Sequence, residues 1–193
     1  SKIIYVRGKL YGISLEEKEF DNIRYIDKFI ISDEKFIRQQ VWNDFAKSNL
    51  INIKYPLPIK DTPIIEGNNI ELSVDLDILD FAFSLEYRQD KLKGLFKEDN
   101  FRAILPGRKF LKIKDFTLFL ERERKYMEKN IFDVNLIENN QTKIIYLDGS
   151  ISGLNLEGKK YQNIRFIERI EFDTYSKKIV SFEVWDDLSE HGF

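Results

Sequence analysis

Lys2–Ile26 reads KIIYVRGKLYGISLEEKEFDNIRYI, and Lys143–Ile167 reads KIIYLDGSISGLNLEGKKYQNIRFI. Thirteen of these 25 aligned positions are identical, and Val41-Trp42 returns as Val184-Trp185 once two extra residues are allowed. A match of that length at the two ends of one chain points to an internal duplication. It separates, within a single sequence, the positions that were kept from those that changed.

Ile4, Val6, Gly8, Leu10 and Gly12 alternate with Tyr5, Arg7, Lys9 and Tyr11, the period-2 pattern of an extended strand with two different faces. In the second copy, Ile145, Leu147, Gly149, Ile151 and Gly153 alternate with Tyr146, Asp148, Ser150 and Ser152. The apolar face persists, whereas the other passes from cationic to acidic and hydroxyl. The expectation is a kept core face and an outer surface released to diverge. Glycines inside a strand mark a bulge or a close approach, and Trp42 or Trp185 could fill the space above them. A polar turn leads to a second strand, Ile23–Ile31 or Ile164–Phe172, and SDEK or DTYSKK leads to a third, Phe36–Trp42 or Ile179–Trp185. Each copy reads as a three-stranded antiparallel meander, with the two-residue insertion in a surface turn.

Residues 46–142 do not repeat. Alternation predicts strands over about 70–88, and Pro56, Pro58, Pro63 and Gly67 predict a loop over 55–69. Phe116, Phe119, Leu120, Tyr126 and Met127 fall at helical spacing behind Asp115, a candidate N-cap, which predicts a helix over 115–129. The fold class expected is mainly β, a β-rich α+β arrangement. Two meanders, residues 1–45 and 143–193, are expected to be related by an approximate two-fold axis beside the unrepeated middle, residues 46–142, with two tandem domains as the alternative.

The 193 residues suffice for a real core without covalent staples. There is no cysteine, so disulfides, thiolate metal sites and cysteine nucleophiles are excluded. The single histidine, His191, lies in what reads as a loose tail, which removes the parts needed for His-based zinc sites and Ser-His-Asp catalysis. With no run of ~18 apolar residues and no basic-then-apolar leader, a soluble cytoplasmic protein without a membrane segment is expected. The formal net charge of -2 is too small to attract or repel nucleic acid globally.

Local charge is less even. Between Arg88 and Lys114 nine Lys/Arg face three Asp/Glu, a local +6 that leaves -8 for the rest of the chain. Arg88, Lys91, Lys93, Lys97, Arg102, Arg108 and Lys109 surround Phe96, Phe101 and Phe110. Cations interleaved with aromatics suit single-stranded nucleic acid or an acidic protein surface, and residues 88–109 are the candidate partner-binding site. Asp75 and Asp77, with Asp80 and Glu86 nearby, have the spacing of a Mg²⁺-binding carboxylate pair, but an outward polar strand face explains them as well. Glu16-Glu17-Lys18 and Glu157-Gly158-Lys159 echo the Glu-x-Lys of metal nucleases yet fall in turns. Asp27 and Glu168 interrupt otherwise apolar strand faces at equivalent positions, which points to pairing with a cation supplied from elsewhere. Asn22 and Asn163 read as turn residues.

Together these readings favour a non-enzymatic binding protein, of the inhibitor or toxin-immunity type, that holds or neutralises a protein partner without a cofactor. The alternatives are a nucleic-acid-binding protein using residues 88–114 and a metal-dependent phosphodiesterase or nucleotidyltransferase using Asp75 and Asp77.

Overall fold

In the computed structural model the described residues are 1–48, 94–138 and 141–193, with the side chains of 123–125 also set aside. The strands expected over 70–88, the loop over 55–69 and the Asp75/Asp77/Asp80 cluster lie outside the described residues. The architecture is mainly β with antiparallel pairing. Strands β1 (Lys2–Ile13), β2 (Glu19–Ser32) and β3 (Lys35–Asn43) form one sheet in the order β1-β2-β3. A second sheet takes β4 (Arg102–Leu105), β5 (Arg108–Phe110), β6 (Arg124–Glu138), β7 (Thr142–Asn155), β8 (Lys160–Asp173) and β9 (Lys178–Asp186) in the order β5-β4-β9-β8-β7-β6. Only β4 and β9 run parallel. Helix α1 (Ile113–Glu123) precedes β6.

The repeated segments carry the same register. Val6 lies opposite Asp27 and Asp27 opposite Val41, as Leu147 lies opposite Glu168 and Glu168 opposite Val184. A bulge falls between Leu10 and Gly12 and again between Ile151 and Gly153. There Asn22 and Asn163 adopt positive φ, 61° and 55°, a conformation that asparagine tolerates better than most residues. The first sheet closes β2 to β3 with the two residues Asp33 and Glu34, φ 50° and 60°, as a two-residue hairpin turn whose twist matches that of the strands requires. The second uses a longer turn in which Asp173 Oδ1 accepts from the backbone N–H of Tyr175 and Ser176. The two extra residues sit there.

The helix ends earlier than its spacing predicts. It stops at Glu123, Asp115 lies in its first turn rather than capping it, and Tyr126 and Met127 belong to β6. The apolar positions from 116 to 120 are a helical stripe, but from Met127 onward pairing with β7 wins. Burial then alternates, with Met127 and Lys129 inside and Glu128 and Asn130 outside.

Which strand faces lie inside is the main correction. Tyr5 and Lys28, with Tyr146, Asp148 and Ser150, are not on an outer surface: their faces pack the two sheets against each other, while Arg7 stays exposed at the rim and Lys9 and Tyr11 are exposed as expected. Asp148 and Ser150 are only 5% exposed. Tyr146, Ile167 and Trp185 meet Ile26 and Trp42 in one cluster, with Tyr5 against it. The contacts are reciprocal. Arg24 donates to the carbonyl of Val184 at 3.0 Å and lies over the Trp185 ring at 4.8 Å, while Arg165 donates to the carbonyl of Val41 at 3.4 Å and lies over the Trp42 ring at 5.3 Å. Each guanidinium is held by its own sheet, Arg24 by Asp44 and Arg165 by Asp187, both at 2.7 Å. Burial lifts both carboxyls above the ordinary aspartate range, against the pull of the guanidinium beside each.

Charges between the sheets find opposite partners. Lys28 Nζ binds Asp148 at 2.6 Å and Asp133 at 2.7 Å, and at the rim Arg7 reaches the buried Glu183 at 2.8 Å. Opposite signs are what a partly desolvated contact requires.

The opposite face of the second sheet carries the larger core. Phe96, Phe101, Phe116 and Phe182 pack with Ile145, Leu147 and Ile170. The C-terminal residues are also engaged: Phe193 packs on Tyr161 at 5.3 Å, and His191 lies in a short helical turn, Ser189–His191, rather than in a loose tail.

Candidate functional site

Of the basic segment, Arg88, Lys91 and Lys93 lie outside the described residues. The others do not form one cation-aromatic surface. Phe101 is 4% exposed and belongs to the core, as do Phe96 and, in part, Phe110. Lys97 is bound to Asp173 at 2.5 Å, which with two backbone N–H donors holds that carboxyl at about 2. Arg102 contacts Ser181 and Glu183 on the inter-sheet side, and Arg108 covers the Phe119 ring at 4.7 Å. Lys109 is exposed on β5. The phenylalanines that gave the segment its nucleic-acid-like pattern follow from core packing.

A cavity of about 40 Å³ lies where α1 and the second sheet meet, lined by Leu120, Met127, Phe166 and Phe182. Inside it Lys129 Nζ meets Glu168 Oε1 at 2.7 Å, with both side chains almost wholly buried. The cation expected for Glu168 is therefore supplied by β6. A volume of this size holds a few waters. Each charge neutralises the other, so this pair reads as a structural feature of the core. Among the described residues there is no group of three or more His, Cys, Asp or Glu side chains that could hold a metal, and no helix is long and apolar enough to cross a membrane.

Among the described residues, the first sheet has no counterpart of the helix and outer strand that cover the second. No residue of β1 is buried, whereas residues 145–151 of β7 all are. Among the described residues β1 pairs on one side only, with β2, while β7 is flanked by β8 and β6. Every second backbone N–H and C=O of a one-sided strand points away from its neighbour and is open to another strand. On the face equivalent to the α1-covered side of the second sheet, Val6 is 40%, Val41 41% and Phe36 72% exposed. Asp27 sits among them. Its Oδ1 is buried without a hydrogen-bond partner, and its carboxyl is pushed up by burial against a hydrogen bond from Gln39. The equivalent Glu168 has Lys129, though its Oε2 is also unpartnered, and among the described residues Asp27 meets no cation.

The glycines sharpen the contrast. A Cβ on Gly149 would collide with the backbone carbonyl of Asn130, and one on Gly153 with that of Tyr126, so β6 itself requires glycine there. On β1 a Cβ at Gly8 would meet only the Tyr25 ring, at 3.0 Å, and one at Gly12 only the Phe20 ring, at 3.1 Å. Neither tryptophan fills the space, contrary to expectation. Sequence reasoning passed over this face because its pattern matches that of a buried strand.

No protein-family model matches this chain, and no curated protein matches it. Among solved structures, it is similar to a nuclear transport factor 2-like superfamily protein from Salmonella enterica serovar Typhimurium. The identity is 10% over 55% of this chain and 83% of that one, with a TM-score of 0.49. An NTF2-like protein from Exiguobacterium sp. 255-15 is 18% identical over 56% and 97%, TM-score 0.45. The association domain of CaMKII from C. elegans is 12% identical over 57% and 93%, TM-score 0.45. The likeness covers little more than half of this chain, and the functional reading rests on the chain's own residues.

Proposed function

We propose that this chain is a binding protein that holds a protein partner against the exposed apolar face of its first sheet, in the manner of an inhibitor or immunity protein. The observation that carries this reading is the unequal covering of two sheets that share one register. The surface around Val6, Phe36 and Val41 is apolar and exposed where its counterpart is core, and exposed apolar area favours association. The location differs from the basic segment expected from sequence, because Lys97, Arg102 and Arg108 are engaged within the fold and Phe101 is buried. Neither the nucleic-acid reading nor the metal-dependent one draws support from the described residues.

The test is site-specific photocrosslinking in the native host. A photoreactive side chain at Val41 should capture one protein partner, and the same group at Tyr175, 98% exposed on the β8–β9 turn, should not. Phe36→Asp, at an exposed position opposite Ile31, should abolish capture while leaving the circular dichroism and melting of the protein unchanged. Equal capture from both positions, or capture indifferent to Phe36→Asp, would remove the proposal.

A further inference from the structure

The pair of Lys129 and Glu168 uses only one of the two carboxylate oxygens. Oε1 accepts from Lys129 Nζ at 2.7 Å, whereas Oε2 is buried without a hydrogen-bond partner. Leaving a desolvated, charged oxygen unpaired is costly, and Glu168 is only 3% exposed. The compensation has to come from what enters the space beside it, and Glu168 lines the cavity of about 40 Å³. The walls of that cavity are mostly apolar: Leu120 of α1, Met127 of β6, Ile151 of β7 and Phe166 of β8. Asp186 and Leu188 line it where the chain is only half-buried, on the side toward solvent. A buried water is held by two to four polar groups, and few are on offer here. A mostly apolar pocket with one convergent polar group suits a ligand built the same way, with an apolar body and one polar end.

We infer that this cavity binds the end of a small aliphatic molecule that carries an O–H or N–H donor, an alcohol or a primary ammonium. The donor meets Glu168 Oε2, the carbons beside it lie among Leu120, Ile151 and Phe166, and the rest of the molecule leaves past Leu188. Lys129 anchors Oε1 and so fixes the carboxylate as an acceptor toward the ligand. The site therefore selects donors and discriminates against a molecule of the same size without one, which leaves Oε2 unpaired. It lies on the second sheet, apart from the partner surface proposed on the first.

Met127, the single methionine of the sequence, lines the cavity, so carbon-13 labelling of the methionine methyl places one NMR signal at the site. The probes are 1-butanol and n-butylammonium, titrated into the intact protein, with methyl propyl ether as the control that matches butanol in size but has no donor. At least one probe should shift the Met127 methyl saturably, and which one does so distinguishes an alcohol from an ammonium ligand. The ether should bind about tenfold more weakly or not at all. In Glu168→Gln, Lys129 keeps the amide oxygen and the amide N–H turns to the cavity, so the preference should reverse toward the ether. Should that variant fail to fold, Leu120→Phe, which fills the cavity from α1, should abolish the shift. No saturable shift with either probe would mean that water alone occupies the space and would overturn the inference. A response to the ether as strong as to the probes, or binding unchanged by Glu168→Gln or by Leu120→Phe, would overturn it equally.

Discussion

Tyr5 and Tyr146, equivalent residues of the two repeats, lie face to face with ring centroids 3.9 Å apart and planes within 6° of parallel. They form the contact through which the sheets meet themselves, flanked by the reciprocal Arg24–Trp185 and Arg165–Trp42 pairs. Stacked rings in a dry interface contribute both burial and packing. Tyr146→Ala should therefore destabilise the protein by about 3–5 kcal/mol, measured by urea unfolding, with tryptophan fluorescence reporting separation of the sheets.

The phenol of Tyr5 donates no proton cheaply. Burial, reinforced by the negative charges of Asp148 and Asp133, pushes its pKa far above the ordinary tyrosine value, against a hydrogen bond at 2.8 Å from Asn135. The folded state thus holds this proton more tightly than the unfolded chain. The resulting stability is present below about pH 10, the unfolded tyrosine value, and is lost as pH rises above it. Tyr5→Phe should flatten the alkaline fall in urea-unfolding stability; an unchanged alkaline limb would contradict it.

At the acid end the sign is opposite. Asp173 is held at about 2 by Lys97 and by backbone donors from Ser176 and Tyr175, below its unfolded value. Its stabilisation is complete above about pH 4 and disappears as pH falls toward 2. Lys97→Ala should return the Asp173 carboxyl toward the ordinary aspartate range in a carbon-13 NMR titration.

Gly149→Ala and Gly8→Ala occupy the same place in the repeat but should behave differently. The first drives a methyl into the β6 backbone and should cost about 2–3 kcal/mol, as overpacking does; the second displaces only the Tyr25 ring and should stay within about 1 kcal/mol. Equal costs by chemical denaturation would mean that β6 does not impose the glycine.

Lys129 and Glu168 form a buried pair whose partners depend on each other. Lys129→Met or Glu168→Leu alone should cost about 3–5 kcal/mol by leaving an unpaired charge, whereas the double substitution should be close to neutral or stabilising. A double-mutant cycle measures the difference.

Strand positions, bulges and the turn at residues 173–178 were legible because they depend on neighbours within a few residues: alternation, glycine spacing and Asn22 and Asn163. The sequence also announced that Glu168 needed a cation from elsewhere, without naming Lys129. The end of α1 was not legible, since Tyr126 and Met127 satisfy helical and strand periods alike and only β7, reached through long-range pairing, decides between them.

What the sequence determined by itself is therefore the β-rich class with antiparallel pairing, and the lack of residues for cysteine chemistry. Tertiary structure alone decided which face of each strand is inside. Alternation separates two faces but cannot say which one meets another sheet, and here the face of Lys28 and Asp148 lies inside because its charges find opposite partners between the sheets. The same packing leaves Val6 and Val41 exposed on a face that reads as core. That difference is set by whether a strand and a helix arrive from elsewhere in space, which no local pattern records.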